Sequence, residues 1–375
     1  MKITRVDAIP VAYPEPNDCD ATRYLVFCRL ETADGVVGWG EAITQFPEST
    51  RATAVLLDGL SEVLVGRDPL QHLAIWEDLI KRSWWYGYEG GLAWFAISAI
   101  DVALWDLKGK ILGASVSELI GGAVRTELPV IASTHAFNPS LDFEIERHGR
   151  YVTEEKYQGV KIGMGKKGEA RLGYEFDRDV AFVAGLREAI GPEALLMMDR
   201  GQSLAWDVAT AIRRTQAFSE HGLTWMEEPL EPTDVEGFRR LRQQVSCLIG
   251  TGEREFTMRG YRRVVESGIS DVIGFDPGRA GGITGGLQVI ELVEAADIWF
   301  NAHTWSSAVS TAASLALSAS TRRCLTFELK PLVNPMQHEL VPEPFAQQNG
   351  WISVGKKPGL GIEVIEPVLE KYRLK

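Results

Sequence analysis

The sequence predicts an α/β protein in which a parallel β/α barrel follows a smaller α+β domain. Three observations lead there. The N-terminal stretch alternates apolar and polar residues before turning helical, eight short apolar runs then alternate with helical stretches, and no glycine-rich phosphate loop opens the series.

Lys2–Pro14 and Tyr24–Leu30 alternate with a period of two, and Asp34-Gly35 turns the chain into Val36–Trp39, which reads as a small antiparallel sheet. From Ser49 to Leu119 the apolar positions move to helical spacing. The clearest case is Trp94–Leu107, where Phe95, Ile97, Ile100, Val102, Leu104 and Leu107 sit among alanines. After Gly121-Gly122 the rhythm changes. Apolar runs follow at Leu128–Ser133, Gly159–Gly163, Leu195–Asp199, Leu223–Glu227, Cys247–Gly252, Asp271–Asp276, Asp297–Ala302 and Leu325–Leu329, with helical patterns such as Arg178–Ile190 and Trp206–His221 between them. Even spacing of eight strands suits a closed parallel barrel. Gly281-Gly282 lacks the full dinucleotide fingerprint and reads as a tight turn entering a helix.

A length of 375 residues suits two domains or one large barrel with a cap, and 45% hydrophobic with 24% charged residues predicts a compact globule. A formal charge of −12 without a long basic run argues against a nucleic-acid partner, while a few local cations still suffice for a small anion. No stretch reaches the roughly 20 apolar residues of a membrane span, and Met1 leads directly into a strand-like pattern. The expectation is a cytoplasmic protein without a membrane partner. Cys19, Cys28, Cys247 and Cys324 lack paired spacing, which indicates reduced thiols rather than a zinc site or a disulfide framework.

In a barrel of this kind the active site lies at the C-terminal ends of the strands. The third run ends at Asp199-Arg200, the fourth at Glu227-Glu228-Pro229, and the fifth reaches Glu253-Arg254, so three successive strands bring three carboxylates to one rim. Oxygen donors of this type suit a hard divalent cation, Mg²⁺ above all. Any single acid there can equally cap a helix or pair with an arginine, an explanation that weakens with three in succession. Glu228 and Glu255 replace Glu227 and Glu253 if the strand register slips. Lys161 at the end of the second run and His303 at the end of the seventh would face each other across the acids. Asp276, at the end of the sixth, is placed to orient the imidazole. A lysine beside a metal site is expected to have its pKa depressed toward useful basicity.

With these residues in view, the sequence resembles the enolase superfamily, specifically its mandelate racemase/muconate lactonizing enzyme branch, over nearly its whole length. The resemblance is carried by Gly38-Trp39-Gly40-Glu41, Ala96–Asp106, Glu227-Glu228-Pro229, Gly281-Gly282-Ile283-Thr284 and Pro358-Gly359-Leu360-Gly361-Ile362-Glu363. It implies a (β/α)₇β modified TIM barrel over residues 126–340, an α+β capping domain over 1–125, and a segment over 341–375 that returns to the cap. It also implies Mg²⁺ on Asp199, Glu227 and Glu253, and a homo-oligomer. Lys161 would be the catalytic second lysine of a Lys-x-Lys motif, His303 with Asp276 the opposite base, and Glu328 a support for the enediolate oxygen.

Two departures stand out. Gly159 occupies the place of the first lysine of that motif, and Gly201 that of an asparagine, so Arg200 is expected to supply a cation to the substrate pocket. Arg279 stands where a lysine is common, and His135 and Trp85 are further candidates for substrate contact. The lids expected to shape specificity are Tyr13–Tyr24, Thr44–Ser49 and Trp84–Glu89.

The resemblance implies proton abstraction next to a carboxylate. Elimination of water from a sugar acid, giving a 2-keto-3-deoxy acid, is the leading expectation. Racemisation, epimerisation or lactone cycloisomerisation with the same bases is the alternative, and a non-catalytic metal-containing binding barrel is a third reading that four such residues argue against.

Overall fold

The computed structural model describes residues 1–375. The cap opens with β1 (Ile3–Glu15), β2 (Ala21–Thr32) and β3 (Val37–Ile43), which form an antiparallel sheet in that order. Helices α1 (Pro47–Leu64), α2 (His72–Arg82), α3 (Leu92–Leu112) and the short α4 (Val116–Leu119) follow. The eight barrel strands are β4 (Glu127–His135), β5 (Gly159–Met164), β6 (Leu195–Arg200), β7 (Trp225–Glu227), β8 (Leu248–Thr251), β9 (Val272–Phe275), β10 (Trp299–Ala302) and β11 (Phe327–Leu329). Seven helices connect them: α5 (Leu141–Thr153), α6 (Phe176–Ile190), α7 (Val208–Ser219), α8 (Val235–Arg242), α9 (Met258–Ser267), α10 (Gly282–Ala295) and α11 (Ala308–Ala319). Each of the eight apolar runs read from the sequence overlaps one of these strands.

Strands β4 to β10 pair in parallel, each with the next, and β11 pairs in parallel with β4. The remaining seam, between β10 and β11, is held by a single bridge in which Phe300 N donates to Arg323 O at 2.8 Å. Alternation along the strands divides the barrel interior into levels. Ile131, Met197, Trp225 and Val272 form a small apolar core of their own inside it. Asp199 and Glu227 lie two residues further along the same strand faces as Met197 and Trp225, and so stand above this floor. Side-chain caps at Ser140, Asp207, Asp234 and Thr257 start α5, α7, α8 and α9 and fix where the helices leave the loops.

The joint between cap and barrel is polar, and its carboxylates are hydrogen-bonded. Helix α3 is buried along most of its length, and its carboxylates are the connectors. Asp101 accepts from Thr284 N at 2.9 Å and Thr284 Oγ1 at 2.6 Å, at the start of α10. A side chain at Gly282 would collide with Asp101, which together with φ of +72° accounts for glycine there. Asp106 accepts from Trp39 N at 2.9 Å, Lys110 Nζ at 2.6 Å and Leu360 N at 2.8 Å, tying β3, α3 and the C-terminal segment together. Glu41 on β3 accepts from Ser307 N at 3.1 Å and Ser310 N at 3.3 Å, on the first turn of α11.

After the barrel, β12 (Trp351–Ser353) pairs antiparallel with the start of β4 before the chain reaches α12 (Glu366–Lys371). Ala12 N then donates to Tyr372 O at 2.9 Å, and Leu374 N to Pro10 O at 2.8 Å, so this segment completes the outer edge of β1. No helix is long and apolar enough to cross a membrane.

Asp106→Ala leaves two buried backbone donors, Trp39 N and Leu360 N, without their acceptor and removes the ion-pair partner of Lys110. The expected loss is about 2–4 kcal/mol of unfolding free energy. Urea denaturation with far-UV circular dichroism measures it.

Candidate active site

A cavity of about 530 Å³ opens at the C-terminal ends of the barrel strands, and Asp199, Glu253, Asp276, His303, Lys161, Arg279 and His135 all contribute to its lining. Glu227 and Glu328 lie just beneath, held by Lys161. The Lys161 Nζ donates at 2.7 Å to Glu227 Oε2 and at 2.7 Å to Glu328 Oε1, and Asn301 Nδ2 donates to the same Glu328 oxygen at 2.7 Å. The other Glu328 oxygen, Oε2, is buried without a partner.

His303 Nδ1 lies 2.7 Å from Asp276 Oδ2, and its Nε2 lies 3.9 Å from Glu253 Oε2. The Asp276 carboxylate is itself fixed, since Oδ1 accepts from Gly278 N at 2.7 Å. With Nδ1–H donated to Asp276, Nε2 is the imidazole nitrogen left for the cavity.

The electrostatics follow from crowding. Burial, and then the charges of Glu253 and Asp199, push Glu227 up to about 8 in spite of Lys161. Burial also opposes ionisation of Asp199, but Lys166 and Lys161 outweigh it and hold that carboxyl below its ordinary value. Burial opposes the charge on Lys161 too. The carboxylates of Glu227 and Glu328, with Asp199 and Glu253 behind them, override it and raise the ammonium well above the usual lysine value. His303 follows the same pattern: burial lowers it, while the hydrogen bond to Asp276 and the charge of Glu253 lift it to about 9.

Several expectations change in detail. Lys161 is not at a strand end but third of six residues in β5, and its pKa rises rather than falls because two carboxylates clamp it. Arg200 does not reach the cavity. It follows Asp199 on β6, so alternation turns it to the opposite face, where it donates to Glu228 O at 2.7 Å and Glu231 Oε1 at 2.9 Å. Trp85 is 80% exposed and stacks edge-on with Trp84, outside the cavity lining. The rest of its segment leans on α9, where Arg263 pairs with Glu89 at 3.1 Å. Glu228 is turned away as well, paired with Arg254 at 2.5 Å.

The glycine that matters also shifts. A side chain at Gly159 would run into the backbone oxygen of Leu195 on the neighbouring strand, whereas Gly163 lines the cavity.

Asp199, Glu227 and Glu253 do not close around a common point. No group of three or more acidic, histidine or cysteine side chains is arranged to hold an ion: Asp199 is turned to Lys166 at 3.2 Å and Glu227 to Lys161.

Residues 144–368 match the enolase C-terminal domain-like family, and residues 17–121 match the mandelate racemase/muconate lactonizing enzyme N-terminal domain. The chain belongs to the enolase superfamily. It is 30% identical to a D-galactonate dehydratase of Pectobacterium atrosepticum over 92% of this chain and 90% of that one. It is 28% identical to a D-galactarolactone cycloisomerase of Agrobacterium fabrum, over 93% and 91%. The crystal structure of a 3,6-anhydro-D-galactonate cycloisomerase from Zobellia galactanivorans superimposes with a TM-score of 0.90 at 28% identity, covering all of both chains. This chain is therefore an enzyme of the superfamily, with lyases and isomerases among its relatives.

The cavity of this superfamily member also contains groups that sequence reasoning did not single out. Trp305 stacks on His135 with ring centroids 4.4 Å apart and donates to Ser133 Oγ at 2.8 Å. Arg23 from the cap lies over the other ring system of that stack and donates to Gln45 Oε1 at 2.6 Å. Asp18, in the cap loop before β2, bonds His135 Nδ1 at 3.1 Å. Two of the three expected lids therefore meet the site, through Asp18 and Arg23 of the first and Thr44, Gln45, Phe46 and Ser49 of the second.

In metal-free protein His303 is raised from 6.5 to about 9. Its charged form is thus favoured by folding, a contribution present in full below pH 6.5 and lost as pH rises through about 9. NMR titration of the imidazole in EDTA is expected to give a midpoint near 9. Asp276→Asn is expected to lower that midpoint and to shrink the melting-temperature advantage over His303→Asn below pH 6.5.

Proposed function

We propose that this enzyme removes the proton α to the carboxylate of a sugar acid and then expels the β-hydroxyl as water, leaving a 2-keto-3-deoxy acid. The observation that carries this reading is the His303–Asp276 pair, 2.7 Å apart, with its free nitrogen 3.9 Å from Glu253 in a cavity that Asp199 also lines. The substrates of the relatives, D-galactonate, D-galactarolactone and 3,6-anhydro-D-galactonate, support the substrate class.

Asp199, Glu227 and Glu253 suit a divalent metal in donor chemistry. All three offer oxygen, they come from adjacent strands, and burial beside like charges leaves Glu227 in need of a cation. Asp199, Glu227 and Glu253 would hold Mg²⁺, which would supply positive charge for the electrons that gather on the substrate carboxylate and offset the carboxylates that hold His303 protonated.

The chain's own residues do the rest. His303 Nε2 takes the α-proton, and Asp276 holds the imidazole in the tautomer that can accept it. Lys161 serves as a fixed ammonium rather than a base, since it donates one proton to Glu227 and one to Glu328 and their charges keep it protonated. Arg279, stacked 3.9 Å over the Phe256 ring centroid with its Nε unpaired, is positioned for an anionic or polyhydroxyl end of the substrate. The C–H electrons form the new double bond as the C–O bond breaks with its electron pair on the β-hydroxyl oxygen, which takes up a proton and departs as water. The resulting enol then tautomerises to the ketone.

Cycloisomerisation of a sugar-acid lactone or anhydro acid is the second reading. It is favoured by the cycloisomerases among the relatives and uses the same proton abstraction.

The test is a panel of six-carbon aldonic and aldaric acids with their lactones, incubated with Mg²⁺ in D₂O. Accumulation of a 2-keto acid supports dehydration, and lactone isomerisation without a keto product supports the second reading. Absence of both, with no α-deuterium incorporation, overturns the sugar-acid reading. On any converted substrate, His303→Asn is expected to lower kcat by about 10²–10⁴-fold, and unchanged turnover removes it from the mechanism.

A further inference from the structure

The chain has a lysine on the flank of the acids opposite His303, and it does not come from a strand. Position 163 is the inward-facing residue at the rim of β5, in register with Asp199 on β6, and it is a glycine. A Cβ built there would lie 2.7 Å from Lys166 Cε and 2.5 Å from His135 Cδ2. The side chain of Lys166 therefore fills the space that a side chain at 163 would take.

The loop is built to bring it there. Gly165, at φ of +64°, reverses the chain directly after the strand; Gly165 N donates to Leu172 O at 2.8 Å, and Gly201 N donates to Met164 O at 2.9 Å. A Cβ at Gly165 would press on Leu204, so the turn is packed as well as bonded. From this turn Lys166 reaches back over the strand end, with Nζ 3.2 Å from Asp199 Oδ2 and a side chain only 26% exposed.

We infer that Lys166 is a catalytic residue: the proton donor on the side of the substrate away from His303. Both line one cavity. His303 lies beside Glu253 at one end of the carboxylate row, and Lys166 beside Asp199 at the other. A substrate lying along the row meets one on each side. Lys161 cannot take this role, since it sits two residues deeper with its ammonium clamped between Glu227 and Glu328.

In the dehydration the C–O bond to the β-hydroxyl breaks with its electron pair on oxygen, a proton from Lys166 Nζ completes the water, and the neutral amine regains a proton from solvent. In the isomerisation the same proton goes to carbon or to the departing ring oxygen.

This inference rests on the proposed sugar-acid chemistry, and two arms keep their failures apart. On a panel acid that the unaltered enzyme converts, Lys166→Met keeps the aliphatic stem and removes the ammonium. It is expected to lower product formation by about 10²-fold or more while α-proton exchange with D₂O continues through His303. Lys166→Ala is expected to regain product formation with added methylamine. Product formation by Lys166→Met within threefold of the unaltered enzyme, or a rise in KM with kcat unchanged, overturns the assignment and leaves Lys166 as a counter-ion of Asp199.

If the unaltered enzyme converts no panel acid, the substrate class has failed and a readout without turnover applies. Lysine acetylation is followed by mass spectrometry with and without tartronate and Mg²⁺, tartronate being a stable small 2-hydroxydicarboxylate. Protection of Lys166 supports its place against the substrate; unchanged labelling overturns it.

Discussion

Charge crowding at the barrel mouth is the constraint on which the site depends. Asp199, Glu227, Glu253 and Glu328 approach one another where little water can reach, and buried like charges cannot all ionise without cations beside them. Lys161 supplies one cation from within the barrel wall and Lys166 a second from a loop. The same field lifts His303. The state of each group is thus set by its neighbours, and a divalent ion entering the row would alter all of them together.

The cap turns this charged rim into an enclosed site. It is anchored on the barrel at two buried carboxylates, Asp101 and Glu41, while Asp106 ties it to the C-terminal segment, and each of the three accepts from backbone N–H groups of other segments. Such bonds specify orientation as well as strength, because a shifted cap would strand both the acids and the amides. Asp18, Arg23 and Gln45 then reach down to the His135–Trp305 stack. Proton chemistry is carried by the barrel, while much of the shape presented to the substrate comes from a different part of the chain.

Much of the fold was legible because hydrophobic periodicity reports burial directly: each apolar run found a barrel strand, and Gly281-Gly282 proved to be the turn into α10. The acids, His303 and Asp276 were legible because position at a strand end largely fixes where a side chain goes. Arg200 was misread although alternation alone excluded it, since a residue adjacent to an inward Asp199 on a strand must face outward. Gly159 was assigned the gap in the lysine pair because the chain was compared as a string. The neighbouring strand leaves no room for a side chain at 159, and the inward place at the rim belongs to 163. Lys166 left no local signal. It stands in a glycine-containing loop beside Lys167, a pattern that usually marks a solvated surface, and only the turn at Gly165 carries it inward.

The pairing of β1 with residues 372–374 has a consequence for how the molecule is made. On the ribosome, β1 emerges early, yet its outer edge waits for a partner translated only after the whole barrel. Until then Pro10–Ala12 lack that partner, and an open strand flank is a place where another strand can pair. The contact joins stretches that lie on either side of the whole barrel in sequence, so the edge of the cap sheet is completed by one of the longest-range pairings in the fold, the kind that forms slowly.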